Sequence, residues 1–373
     1  MSKGKIKKVF PGGNTSSGFY SYYDYIIEPD ATRILVIKGG PGVGKSTFMS
    51  WIAEQMLERG YDVEYHCCSS DNGSIDGIMI PSIRVAMLDG TAPHVVDPKN
   101  PGVVDEIIHL GDHWNEPEIR KSKEEVLASN ARVGRLFEIA YSQLAEAKII
   151  RDELNNYYDD AINYGQVNGV IHEIAKSIVS KAKIQFAEEP YERHLFATAF
   201  TPNGQAHHLD TILQDVEKLY LVSGDATATG SYVVGTIADA MHMHGLDTEV
   251  YHCAMEPEEV DLVVIPSMKT AVLKNVPGIN FKPQDVASIE KVKMFNLNQF
   301  LDPDILAVYD KEIKCCHERL NSAIGRALGY IAAAKKEHDV MEEYYIPAMD
   351  FDAINARRDE ILQRVLKYAE EFK

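Results

Sequence analysis

Positive charge is what this chain lacks most. Its 373 residues carry 38 Lys plus Arg against 56 Asp plus Glu, a formal charge of −18, which argues against a nucleic-acid partner gripped by clustered cations. Long apolar runs are missing too. None approaches the ~18–20 residues that a membrane helix needs, and the basic stretch from Lys3 to Lys8 is not followed by a hydrophobic signal core. We therefore expect no membrane partner and a cytoplasmic location. Cysteine is scarce: Cys67, Cys68, Cys253, Cys315 and Cys316 form two adjacent pairs and a single, without the C-x-x-C spacing of zinc or redox sites. They read as reduced structural thiols. His242 and His244 are two apart on a predicted helix and point in different directions, and neither His207-His208 nor His66-Cys67 brings a ligand set, so no zinc site is expected.

What is present is ordinary globular material. Hydrophobic residues at 45% and charged residues at 25% suffice for a sizeable core and exclude disorder, collagen and coiled coil as descriptions of the whole chain.

The chain also repeats itself. At a constant offset of 185, Arg33–Gly39 (RILVIKG) falls on Lys218–Gly224 (KLYLVSG), Gly60 on Gly245, Asp62 on Asp247, Glu64 on Glu249, Cys68 on Cys253, and Ile80-Pro81-Ser82 on Ile265-Pro266-Ser267. A looser echo at offset 187 pairs Ala147-Lys148 with Ala334-Lys335 and Tyr157-Tyr158 with Tyr344-Tyr345. We expect two fused copies, residues 1–188 and 189–373, joined near Glu188-Glu189-Pro190. Each copy reads as an apolar strand, a glycine-bearing turn, an amphipathic helix and further strands, followed by long helices over 116–182 and 304–371. Strand, helix, strand implies parallel βαβ units. The expected fold is thus α/β, with two tandem lobes built on doubly wound parallel sheets and helical extensions beside them.

The first copy contains Gly39-Gly40-Pro41-Gly42-Val43-Gly44-Lys45-Ser46-Thr47, a match to G-x-x-x-x-G-K-[ST] between a predicted strand and a predicted helix. Glycines let successive backbone N–H groups point inward at phosphate oxygens. The helix N-terminus adds positive potential, Lys45 reaches the β and γ phosphates, and the Ser46 hydroxyl binds Mg²⁺. A second carboxylate on an apolar strand should help hold the metal. Val85-Ala86-Met87-Leu88-Asp89 has that form, so Asp89 is the expected Mg²⁺ carboxylate, with a strand-to-turn aspartate as its structural alternative. Asp71, after the Asp62–Cys68 strand, is a runner-up for the metal, a candidate base, or the cap of a turn.

The second copy has lost this chemistry. Gly44 becomes Thr229, Lys45 becomes Gly230, Thr47 becomes Tyr232 and Asp89 becomes Lys274, whereas Ser46 persists as Ser231 and Asp76 as Asp261. Its lobe has either drifted or serves as a pseudo-dimer partner supplying a cation in trans, with Lys269 or Lys274 as candidates. Asp76 reads as structural. Three further features are weaker. Phe19, Tyr20, Tyr22, Tyr23 and Tyr25 could stack on a base or simply pack. Arg132 and Arg135 share a helix face and could form a phosphate-clamping lid or a solvated surface. The many carboxylates of the long helices read as solvated faces.

From Arg33 to about Thr91 the sequence resembles the P-loop NTPases. More narrowly, Gly12-Gly13-Asn14-Thr15, GGPGVGKST, the run Cys68-Ser69-Ser70-Asp71 to Gly77, and Asp89-Gly90-Thr91-Ala92-Pro93-His94 look like a bacterial family of tandem-duplicated P-loop proteins, usually labelled ATPase or nucleotide kinase and without an assigned substrate. The resemblance implies Mg-nucleotide binding by Gly39 to Thr47. No N-K-x-D string is present to read guanine, so ATP is the expected nucleotide, and no LSGGQ transporter signature occurs. Expectation therefore centres on an ATP- and Mg²⁺-dependent ATPase in the first lobe, using Lys45, Ser46, Asp89 and Asp71. A small-molecule kinase with its own acceptor, and an ATP-binding scaffold with a protein partner, are the alternatives.

Overall fold

In the computed structural model, which describes residues 2–92, 95–182 and 189–372, the apolar run Ile34 to Ile37 is buried on both faces of a strand. Leu35 and Ile37 pack with Phe48, Ile52 and Met56 on one side, while Ile34 and Val36 pack with Tyr23, Ile26 and Ala86 on the other. A strand without a wet face must lie inside a sheet. The first copy runs β1 (Ile6–Val9), β2 (Gly12–Thr15), β3 (Gly18–Ser21), β4 (Arg33–Lys38), α1 (Lys45–Glu58), β5 (Val63–Cys67), β6 (Ile75–Ile80), β7 (Val85–Asp89), β8 (Asp105–His109), α2 (Glu116–Ile119), α3 (Lys123–Ala161) and α4 (Tyr164–Val179). The second follows with β9 (Glu192–Phe196), β10 (Thr198–Thr201), β11 (Gly204–His207), α5 (Leu209–Ile212), β12 (Lys218–Ser223), α6 (Thr227–Met243), β13 (Thr248–His252), β14 (Val260–Ile265), β15 (Thr270–Lys274), β16 (Lys291–Asn296), α7 (Pro303–Val308), α8 (Asp310–Tyr345) and α9 (Phe351–Glu370).

Both copies build the same six-stranded sheet, β1-β5-β6-β7-β4-β8 and β9-β13-β14-β15-β12-β16. Two features depart from a doubly wound parallel sheet. First, β6 and β14 run antiparallel to both neighbours. The cause is local: a 3₁₀ turn over Pro81–Ile83, closed by Arg84 at φ 53°, joins β6 to β7, and its repeat Pro266–Met268 with Lys269 at φ 45° joins β14 to β15. So short a connection can join only antiparallel neighbours. Second, the long helices pack on one face of each sheet, and only the short α5 lies on the other face of the second. In the first lobe α1 and α9 cover one face, while the lead-in segment with Tyr23, Ile26, Ile27 and Ala31 closes the other. A sheet that replaces a crossover by a hairpin has one helix fewer to place.

Packing exchanges the long helices between the copies. Ile354, Ile361, Leu362 and Val365 of α9 enter the core formed by β4, α1 and β6, whereas Val167, Val170, Ile171 and Ile174 of α4 enter the core of β12, α6 and β14. Each such buried Leu, Ile or Val contributes roughly 2 kcal/mol of transfer free energy. Between these ends α3 and α8 lie antiparallel, as the pairs Arg132–Glu337 and Arg319–Glu153 require. Small residues, Ala140, Ala147, Ala323 and Ala327, line the seam and are nearly or fully buried. Of the expected junction, Glu188 lies outside the described residues; Glu189 and Pro190 lead directly into the second sheet.

The two sheets meet at β1 and β9. Phe10 and Phe196 exchange backbone hydrogen bonds of 3.0 Å each. Beside them a box of charges bridges the copies: Lys7 lies 2.6 Å from Glu249 and 3.5 Å from Glu64, and Arg193 donates to Glu64 at 2.9 Å. Burial alone would raise the Glu64 pKa, but Arg193, Lys7 and His66 outweigh it and hold the carboxyl well below its ordinary value.

Candidate functional site

At the end of β4 the chain turns through Gly39–Gly44 into α1. Gly42 and Gly44 take φ of +66° and +84°, a region costly for residues with a Cβ. Close packing adds to the demand for glycine, since a Cβ on Gly39 would lie 2.8 Å from the Val43 side chain. Val43 itself is 1% exposed and anchors the loop in the core. Gly44 caps α1 without any side-chain hydrogen bond, so the helix N-terminus keeps its positive potential for whatever approaches the loop.

Lys45 curls back under the loop. Its Nζ donates to the Gly39 and Gly40 carbonyls at 2.9 Å each and lies 3.5 Å from Asp89 Oδ2. Asp89, at the end of β7 beside β4, accepts from the Thr91 amide at 2.8 Å, and the Thr91 hydroxyl donates to the Gly39 carbonyl at 3.1 Å. The Ser46 hydroxyl accepts from the Ile75 amide at 3.0 Å, tying α1 to the start of β6. Thr47 is exposed. The fold thus gathers Gly39 to Ser46 and Asp89 at the carboxyl ends of β4 and β7. Asp71 stands further out: it accepts from the Gly73 amide at 2.9 Å, forming a turn, and pairs with Lys335 of α8 at 3.1 Å. Of the Asp89 to His94 run, Pro93 and His94 lie outside the described residues.

The second copy does reach this site, but not through the expected lysines. Lys274 is buried in its own lobe against Asp261, and Lys269 pairs with Glu217 on the surface. Instead the end of α8 lies on the glycine loop. The Gly42 amide donates to Glu342 Oε1 at 3.3 Å, and a Cβ on Gly40 or Gly42 would lie 3.1 Å from Tyr345 or 3.0 Å from Ile346. One turn earlier sits His338, 3.6 Å from Glu342. Burial is the main cause of its lowered pKa; Glu342 opposes the shift, and Lys335 and Lys45 add to it. His338, Asp339 and Glu342 bring one ligand atom each within 4.8 Å of one another.

These residues were not singled out from the sequence, although the echo at offset 187 contained the signal. It maps Lys335, His338 and Glu342 onto Lys148, Arg151 and Asn155, and these meet the second lobe's loop in the same way. Lys148 lies 3.3 Å from Glu256, Arg151 lies 2.9 Å from Glu259, and Asn155 accepts from the Thr227 hydroxyl at 3.2 Å. Each loop is therefore capped by the other copy's long helix.

The weaker candidates fall elsewhere. Tyr22 stacks on His252 at 4.6 Å between centroids and Tyr25 packs edge-on to His194 at 4.7 Å, so these rings serve the seam between the lobes. Arg132 is tied to Glu337 and Arg135 to Glu138. His244 is bonded to the Ala240 carbonyl of its own helix.

Among known families, the one described as Nephrocystin 3, N-terminal, matches residues 20–79, a segment that includes the glycine loop, α1 and most of β6. Neither a curated protein nor a solved structure matches the chain. No helix among the described residues is long and apolar enough to cross a membrane.

Proposed function

We propose that the first lobe binds Mg·ATP on the loop Gly39–Thr47 and hydrolyses it, and that the second lobe is a degenerate P-loop-like copy that serves structure and coupling. The observation that carries this reading is the conjunction at one sheet edge of a left-handed glycine loop, an α1 N-terminus without a side-chain cap, and Lys45 lying between the loop carbonyls and Asp89. Amides on a helix start together with an ammonium form a donor set suited to a polyphosphate. The residues also suit magnesium, because Ser46 and Asp89 offer hard oxygens. Held by Ser46 and Asp89, a magnesium ion would supply positive charge to offset the negative charge of the phosphates.

In this mechanism Lys45 leaves the Gly39 and Gly40 carbonyls for the phosphoryl oxygens. The amides of Pro41's successors, Gly42 to Lys45, hold the phosphates in place and stabilise the charge that develops on them. The second copy supports the reading by contrast, since Lys45 and Asp89 are replaced there together.

The test is phosphate release from ATP by the full chain without an added acceptor. Lys45→Ala should lower turnover at least about 100-fold, as loss of a charge-stabilising group does. Full activity in that variant removes the proposed site. Formation of ADP only when a small-molecule acceptor is supplied would assign a kinase, and binding without turnover would assign a scaffold.

A further inference from the structure

The second lobe carries its own cation where the first has none at the same position. Lys274 Nζ lies 2.6 Å from Asp261 and donates to the Ser231 hydroxyl at 2.8 Å. Both charged side chains are almost inaccessible, at 5% and 2% exposure. The three residues are the repeat mates of Asp89, Asp76 and Ser46.

Strand register makes the comparison structural. In the second lobe Leu262 pairs with Leu273, so the next pair outward is Asp261 opposite Lys274. In the first lobe Gly77 pairs with Leu88, so the next pair outward is Asp76 opposite Asp89. Attraction in one lobe has become carboxylate against carboxylate in the other. Like charges directly opposite on neighbouring strands destabilise a sheet, and a buried carboxylate needs compensation. Asp76 is 4% exposed. The buried Tyr23 phenol hydrogen-bonds Asp76, a neutral contact that leaves the charge of the carboxylate in place.

Lys45 compensates part of this charge from 3.5 Å, but it is also held by two loop carbonyls. Once a polyphosphate draws that ammonium away, Asp89 loses it. One lysine balances one aspartate in the second lobe; a divalent ion would balance two.

We infer that Asp76 is a direct ligand of a divalent cation in the first lobe, shared with Asp89 and Ser46, at the place that the Lys274 ammonium fills in the second. Two carboxylates and a hydroxyl select a hard ion such as Mg²⁺ or Mn²⁺. The inference deepens the Mg·ATP reading, and for the nucleotide-loaded state it rests on it. It assigns Asp76 a role beyond the strand, and it explains Lys274 as an internal substitute for the metal.

The experiment is a titration of the full chain with Mn²⁺, followed by loss of the free-ion magnetic resonance signal, without nucleotide and with ADP. ATP binding in chelator is measured separately. Wild type should show one site, and Asp76→Asn should weaken it by about 10-fold or more while ATP binding in chelator persists. Asp89→Lys should rebuild the second lobe's ion pair, abolish Mn²⁺ binding and leave the fold intact, which covers the case of an Asp76→Asn chain that does not fold. Unchanged Mn²⁺ affinity in Asp76→Asn, or no Mn²⁺ site in wild type under either condition, overturns the inference. An Asp76-dependent Mn²⁺ site in a chain that binds no ATP would instead overturn the nucleotide reading and leave the metal site standing.

Discussion

Glu342 places its carboxylate 3.3 Å from the Gly42 amide, across 300 residues of chain. A loop whose amides suit phosphate therefore already hosts an anion, and that anion belongs to the other copy. Any polyphosphate entering the loop must displace it. Because the Glu342 side chain is about a third exposed, at 32%, solvent screens the contact and the competition is modest. Glu342→Ala should tighten ATP binding by about 3- to 10-fold, and Glu342→Gln, which keeps an acceptor without the charge, by less. Calorimetry with Mg·ATP measures both; equal or weaker binding in Glu342→Ala shows that the carboxylate does not compete.

Gly42 is constrained from two sides. Its φ of +66° disfavours any Cβ, and a Cβ would also meet Ile346 at 3.0 Å. Gly42→Ala should cost about 1–2 kcal/mol from the backbone alone, or a fall in Tm of roughly 2–8 °C for lobes of this size. Adding Ile346→Ala separates the contributions. If the double variant recovers part of the loss, the end of α8 rests on the loop in solution; if it recovers none, backbone strain accounts for all of it.

That contact also marks the limit of what the sequence made legible. The repeat identified two α/β lobes because strand positions such as Arg33–Gly39 and Lys218–Gly224 keep their burial after duplication. The glycine loop was legible because its residues are contiguous. The exchange of α4 and α9 was not, because an apolar stripe like Val167, Val170, Ile171 and Ile174 states that a helix is covered, not by which sheet. The antiparallel β6 had a sequence cue in Pro81-Ser82, but the short 3₁₀ turn that forces the reversal becomes visible only with Arg84 at φ 53°. Lys274 was misplaced for a related reason: as a lone cation it suits a trans-acting role, and only register reveals Asp261 opposite it.

Lys274 should accordingly matter for folding rather than for turnover. Truncating it to Met leaves Asp261, at 2% exposure, without its cation. Breaking one side of such a buried pair costs about 3–5 kcal/mol. Denaturant unfolding should show that loss in Lys274→Met, and Lys274→Met with Asp261→Leu should regain most of it. Phosphate release per folded molecule should stay at the wild-type rate in the double variant. A large drop there would return Lys274 to the catalytic machinery.

Acid should loosen the attachment of α9 before it unfolds the sheets. Glu106 of β8 binds Arg364 of α9 and Arg33 of β4. Hydrogen bonding to Arg364 is the chief cause that holds its carboxyl down to about 2, from an ordinary 4.5, with Arg33 adding to it against burial. Because the folded-state value lies below the unfolded one, the unfolded chain takes up the proton first as pH falls. The stabilisation is therefore complete above about 4.5, declines below it, and is gone once the pH passes about 2. Glu64 at the lobe seam, also held low by its cations, adds a loss of the same sign. Glu106→Gln should lower Tm at pH 7 by up to about 3 °C and should converge on wild type near pH 2. Thermal melts from pH 2 to 7 decide the matter: two curves that stay parallel across the range would mean that Glu106 is no better held in the folded chain than in the unfolded one, and that α9 is fixed to the first lobe by its apolar face and the stacking of Arg358 on Trp51.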